Sequence, residues 1–244
     1  MAVRAAQELK DGEVVFVGIG LPNLACNLAR ATHAPNLVLI YESGAVGAQP
    51  GRLPVSIGDP ALAADALAIA SMPEVFQYYL QGGRIEVGFL GGAQVDRYGN
   101  INSTVIGSYE HPRVRLPGSG GACEIAIHAK RVIVVAPLNS RSFPERVDFI
   151  TSPGHDGKYG RRSQLRLPGS GPTSIVTDVG VLTPDDTGEL QLAGIYAGVS
   201  PDEVRQRVGW PLKVRRPLLQ IDPPSPEELH LLREVLDPGK LYLK

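Results

Sequence analysis

The chain has 244 residues, 43% hydrophobic and 20% charged, with a formal net charge of -1. That balance excludes disorder, coiled coil and collagen, and it offers no basic footprint for nucleic acid. The only cysteines are Cys26 and Cys123, so no disulfide framework is expected and a reducing cytoplasm is the default location. The first twenty residues hold no apolar core flanked by basic residues and a small-residue cleavage site, so no signal peptide is expected. The longest apolar runs, Val14–Ile19 and Val132–Leu138, are too short to span a bilayer.

In chain order, Glu13–Gly18 is β-branched and bounded by glycines, which predicts a buried strand. Pro22–Ala31 follows as a helix with its proline in the first turn. Asn36–Tyr41 is a second buried strand. Pro60–Ile69, rich in alanine, and Pro73–Leu80, stopped by Gly82-Gly83, both predict helices. Ile85–Leu90 is a third strand, extended by Ala93–Asp96. Arg97–Asn100 is a turn, and Ile101–Ile106 returns as a strand. Gly118–Gly121 is a loop, Cys123–Ala129 a helix and Arg131–Ala136 a further strand. Ile175–Asp178, Val181–Thr183 and Glu189–Tyr196 read as strands, and Pro201–Val208 and Pro226–Val235 as closing helices. The alternation predicts an α/β fold with a mostly parallel sheet flanked by helices and a partly antiparallel C-terminal section. With no strong linker, residues 1–244 read as a single domain.

Four constellations bear chemistry. Gly18-Ile19-Gly20-Leu21-Pro22 joins a strand to a helix, where glycines let backbone approach a ligand and the helix offers unpaired N–H groups. Asn23 stands where a dinucleotide fingerprint has its third glycine, so a plain tight turn is the competing reading. Glu42-Ser43-Gly44 follows an apolar strand, at the edge where open α/β sheets bind ligands. A carboxylate there can form a covalent intermediate, or be a solvated strand-end glutamate. Gly118-Ser119-Gly120-Gly121 precedes a helix and can converge N–H groups on an oxyanion, or be a flexible loop. Gln94 and Asp96 alternate on one face of a strand. Gln94 is a candidate for a substrate carboxylate, and Asp96 for closing the turn. His33, His111, His128, His155 and His230 have no metal-ligand spacing, so no metal is expected. His155 reads as an exposed loop residue and Trp210 as packing.

GIGLP, YESG, FLGGAQVDRYGNIN, GSGGA and KRVIVV, in this order, together with THAPN (32–36), TSPG (151–154) and DPG (237–239), resemble the beta subunit of family I coenzyme A transferases. The pattern is most similar to the glutaconate type. The resemblance implies the NagB/RpiA/CoA-transferase-like fold and makes Glu42 the catalytic nucleophile. It implies ping-pong transfer of CoA from an acyl-CoA to a carboxylic acid through a glutamyl-CoA thioester. Gly118, Gly120 and Gly121, with Gly18 and Gly20, would face the oxyanion or CoA. No separate cofactor is implied, because CoA is a substrate. An alpha subunit is implied, in a heterodimer that assembles to a tetramer or octamer. Tyr41-Glu42-Ser43-Gly44 departs from the Ser-Glu-Asn-Gly of the 3-oxoacid branch. Arg113, Arg115 and Arg141 are candidates to clamp a dicarboxylate, or are solvated surface arginines. The competing readings are an acyl-CoA or ring-opening hydrolase on the same fold, and a metabolite-binding protein.

Overall fold

Short β-branched segments, each hydrophobic on both faces, form parallel strands that helices cover. The computed structural model describes residues 1–157 and 160–243. The chain divides into two compact units, residues 1–89 with 224–244, and residues 90–223.

The first unit opens with α1 (Ala2–Gln7), β1 (Val14–Phe16), α2 (Leu21–Ala31) and β2 (Val38–Ile40). β3 (Ala45–Val46), β4 (Ala68–Ile69), α3 (Met72–Glu74) and β5 (Val87–Leu90) follow. The strand order is β5-β1-β2-β3-β4. β5, β1 and β2 run parallel, while β3 and β4 are antiparallel additions at the edge. α2 buries Leu24, Ala25, Cys26, Leu28 and Ala29, the inward stripe of a 3.6-residue period. A capping box between Ser71 and Glu74 starts α3, which continues as a π-helix through Val75–Leu80. A second capping box, Ser225 with Glu228, starts the closing helix Pro226–His230.

One expectation fails here. Pro60–Ile69 is not a helix but a 3₁₀ turn, Pro60–Leu62, followed by a turn and then β4. The alanine-rich composition favours helix, yet only Leu62 of the stretch is buried. Asp65 takes a positive φ of 52°, which a helix cannot accommodate. Backbone bonds from Leu67 to Val46 and from Ala70 to Gly44 draw the segment onto β3 instead. Tertiary pairing overrides propensity.

The second unit begins with two ribbons, β6 (Gln94–Val95) with β7 (Ile101–Asn102), and β8 (Val105–Gly107) with β9 (Pro112–Arg115). The expected strand Ile101–Ile106 is thus broken at Ser103-Thr104 and serves both ribbons. α4 (Ala122–His128) leads to β10 (Arg131–Val135), β11 (Pro172–Val176), β12 (Gly180–Pro184), β13 (Leu190–Tyr196), α5 (Pro201–Arg205) and β14 (Lys213–Ile221). β10 and β11 are parallel, β11 to β13 antiparallel, and β14 parallel to β13. The α/β class and the antiparallel C-terminal section are as the sequence indicates. β14 was not expected, because Pro217 and four charged or amide side chains hide its period. Ile133, Ile175 and Phe143 are fully buried in this unit, and Trp210 is buried as expected.

Candidate active site

Glu42 sits at the centre of a tight turn. β1 and β2 run parallel, and the Val17 N–H donates to the Ile40 carbonyl at 3.0 Å. The two strands therefore end together, and the Gly18–Gly20 loop and Glu42 leave from neighbouring strand ends. This is the edge where open α/β sheets bind ligands. The Gly44 N–H donates to the Tyr41 carbonyl at 2.9 Å, and the Tyr41 N–H to the Ala45 carbonyl at 3.0 Å. Glu42 and Ser43 lie between these bonds, the first half-buried and the second exposed. Gly44 is required by geometry. Its φ is +110°, and a β-carbon there would lie 1.9 Å from the Ala70 carbonyl oxygen.

Behind the turn, the Asn23 Nδ2 donates to the Tyr41 hydroxyl at 2.6 Å. The Asn27 Nδ2 in turn donates to the Asn23 Oδ1 at 3.1 Å and to the Asn23 carbonyl at 2.9 Å. Burial, with the neighbouring Cys26, pushes the Tyr41 hydroxyl well above the ordinary tyrosine range, so it stays neutral. Gly20, at φ +97°, starts α2. The Tyr242 hydroxyl takes a hydrogen bond from the Gly20 backbone and donates to the Pro54 carbonyl. The Asp237 carboxylate gathers the N–H groups of Leu241, Tyr242 and Leu243 at 2.6 to 2.8 Å, which fixes this last turn.

In the second unit, Gly118 is already engaged. Its N–H donates to the Ser103 carbonyl and its carbonyl accepts from the Ser103 Oγ, both at 2.8 Å. The Ser103 N–H donates to the Thr151 Oγ1 at 2.9 Å, which ties the GSGGA loop to the TSPG segment. Gly118 and Gly20 therefore shape their loops rather than offer open donors. Among the described residues, the N–H groups of Gly18, Gly120 and Gly121 meet no acceptor. The far end of α4 is held by Arg162, a buried guanidinium donating to the carbonyls of Ala126, Ile127, Pro153, Gly154 and Gly169. Burial lowers its pKa to about 10, still fully protonated at neutral pH. The Leu-Pro-Gly-Ser-Gly of 116–120 recurs at 167–171, and the second copy bonds Gly169 N–H to the Ile127 carbonyl.

Gln94 is the candidate the geometry does not favour. Its Oε1 accepts from the Asn102 Nδ2 at 2.7 Å and from the Asp148 N–H at 3.0 Å, and its Nε2 donates to the Asp148 carboxylate at 3.2 Å. It is 6% exposed, so its amide braces a corner instead of facing substrate. Asp96 closes the turn as expected, accepting from the N–H groups of Tyr98 and Asn100. Arg113, Arg115 and Arg141 are all exposed, with Arg115 stacked over the Tyr109 ring. His155 is a correction. It is half-buried, its Nε2 lies 2.7 Å from the Pro172 carbonyl, and burial lowers its pKa. Among the described residues no cluster of three or more His, Cys, Asp or Glu could hold a metal, and no helix is long and apolar enough to cross a membrane.

Sequence reading gave no role to Asn23, Tyr41, Ser103, Thr151, Arg162 or Tyr242. The repeated LPGSG was an available signal for the two ends of α4. The others act through contacts distant in sequence, which no local pattern announces.

Residues 1–207 match the profile of the coenzyme A transferase family. This chain belongs to that family. The coenzyme A transferase chain is 49% identical over 234 residues to the beta subunit of the 3-oxoadipate CoA-transferase of Pseudomonas knackmussii, spanning 96% of this chain and 90% of that protein. It is 38% identical over 250 residues to the beta subunit of the glutaconate CoA-transferase of Acidaminococcus fermentans, spanning 100% and 93%. The crystal structure of the Acidaminococcus fermentans glutaconate coenzyme A-transferase superposes with a TM-score of 0.91 at 37% identity, covering 100% of this chain and 95% of that one.

Proposed function

We propose that this chain is the beta subunit of a two-subunit CoA transferase that moves CoA from an acyl-CoA to a free dicarboxylic acid of the 3-oxoadipate or glutaconate kind. The observation that carries the reading is Glu42, set at the centre of a glycine-dependent turn at the ligand-binding edge of a parallel sheet, in a chain of the coenzyme A transferase family. Two similar proteins, each named as one subunit of a CoA-transferase, support an alpha-subunit partner.

The Glu42 carboxylate attacks the thioester carbonyl and expels CoA as its thiolate, leaving an acyl-glutamyl anhydride. The thiolate attacks the glutamyl carbonyl of that anhydride, releases the first acid as its carboxylate, and leaves CoA on Glu42 as a thioester. The acceptor carboxylate attacks this thioester, and the thiolate then attacks the acceptor's acyl carbonyl. The new acyl-CoA departs and Glu42 returns as a carboxylate, with no net proton change. Each attack places negative charge on a carbonyl oxygen. The open N–H groups of Gly120 and Gly121 suit that charge, and losing one such donor typically costs about 3–4 kcal/mol.

The test is a transfer assay on the chain co-purified with its alpha subunit. Succinyl-CoA is the donor, and the acceptors are 3-oxoadipate, glutaconate and matched monocarboxylic acids. The expected result is loss of succinyl-CoA matched by a new dicarboxylyl-CoA. Free CoA released at the same rate without any acceptor would replace the transferase with a hydrolase. Preference for monocarboxylic acceptors would remove the dicarboxylate assignment.

A further inference from the structure

We propose that Asn23 and Tyr41 are a positioning pair that sets the direction of the Glu42 carboxylate. This rests on Glu42 being the nucleophile. Tyr41 precedes Glu42 directly, and its backbone makes both bonds that define the turn. Its side chain runs the other way, to Asn23 in the first turn of α2, at 2.6 Å. α2 begins where the Gly18–Gly20 loop ends. One side-chain hydrogen bond therefore joins the turn that carries the nucleophile to the glycine loop leaving the adjacent strand.

Both residues are 0% exposed, so neither touches substrate, and any effect on the reaction passes through Glu42. Asn23 is itself held from behind by Asn27, one helical turn on, so the anchor is fixed on a regular helix. The arrangement is specific in a way that packing alone does not need. A phenylalanine at 41 and an aliphatic residue at 23 would fill the same space with no polar group to satisfy. A buried polar pair kept beside a reacting group costs desolvation and fixes orientation.

Buried polar pairs supply their own discriminating experiment. Removing one partner leaves a buried polar group unsatisfied, whereas replacing both with apolar groups of similar shape is nearly neutral for stability. The variants are Tyr41→Phe, Asn23→Leu and the double variant, each assembled with the alpha subunit. The readouts are melting temperature, KM for succinyl-CoA, and the single-turnover rate of the CoA adduct on this chain.

The pair predicts slower adduct formation in all three, by about fivefold to tenfold, with KM within twofold. It also predicts that the double variant regains melting temperature without regaining rate. Recovery of both rate and stability in the double variant would make the pair structural only and overturn the proposal. An unchanged adduct rate in Tyr41→Phe, the mildest substitution, would overturn it even where the other variants fail to assemble. Absence of any adduct on the unaltered chain during turnover would instead remove Glu42 as nucleophile, and the proposal with it.

Discussion

Gly44→Ala tests the geometry of the Glu42 turn through one added methyl group. The backbone at this position has φ +110°, which costs an alanine about 1–3 kcal/mol. The new carbon would also fall 1.9 Å from the Ala70 carbonyl oxygen and 3.0 Å from its carbonyl carbon, both backbone atoms that no side-chain rotation can clear. The edge strand β4 must move away. That breaks the 2.9 Å bond from the Ala70 N–H to the Gly44 carbonyl, worth about 1 kcal/mol net. Together these predict roughly 2–4 kcal/mol of destabilisation. For a chain of this size that lowers the melting temperature by roughly 5–15 °C. Gly51→Ala is the control, since a β-carbon there meets nothing within 4 Å. The assay is thermal unfolding of both variants beside the parent, with transfer activity measured at a temperature where all are folded. Glu42 is two residues from the altered backbone, and a displacement of ~1 Å costs about 10²-fold in rate. A Gly44→Ala protein with parental melting temperature and activity would refute the turn geometry.

Three further outcomes follow from the same structure. Glu42→Asp draws the carboxylate back by one methylene and is expected to lower transfer about 10²-fold without moving the melting temperature; parental turnover would count against the nucleophile. Arg162→Met strips the buried carbonyls of Ala126, Ile127, Pro153, Gly154 and Gly169 of their donor and is expected to cost at least about 3 kcal/mol, whereas a shift in melting temperature under about 2 °C would refute its bracing role. Asp185 is pulled upward by partial burial but more strongly downward by Lys213, Thr187 and the Glu189 N–H, which leaves its pKa at about 2 against an ordinary 3.8. Its stabilisation is therefore complete above the ordinary value and fades as pH falls from 3.8 toward 2. Asp185→Asn should be less stable than the parent in urea titrations at pH 6, with the gap closing below pH 4; a constant gap would refute the assignment.

The parts of the fold legible in the sequence were those where local pattern and tertiary demand agree. The runs 13–18, 36–41 and 131–136 are apolar on both faces because parallel strands are covered on both sides. Pro22 and the Ser225–Glu228 box mark helix starts through chemistry that works within one turn. Pro60–Ile69 was illegible because its alanines favour helix while the pairing partners, Val46 and Gly44, lie in another segment. At the site, the family motifs located Glu42 and the glycine loops. They did not separate open donors from engaged ones. Gly118 is closed by Ser103 and Gly20 by Tyr242, and the latter partner is distant in the chain. Gln94 looked available for a ligand for the same reason. Its partners, Asn102 and Asp148, are brought to it by the β6–β7 ribbon and a later loop.

The central claim is that CoA is carried on Glu42. Its most direct test is the intact mass of this chain, purified with its alpha subunit, mixed with succinyl-CoA without acceptor and followed by peptide mapping. The account predicts a CoA-sized increase on the peptide containing Glu42, absent in Glu42→Gln. Full transfer activity with no adduct on that peptide, or with an adduct that persists in Glu42→Gln, would contradict it.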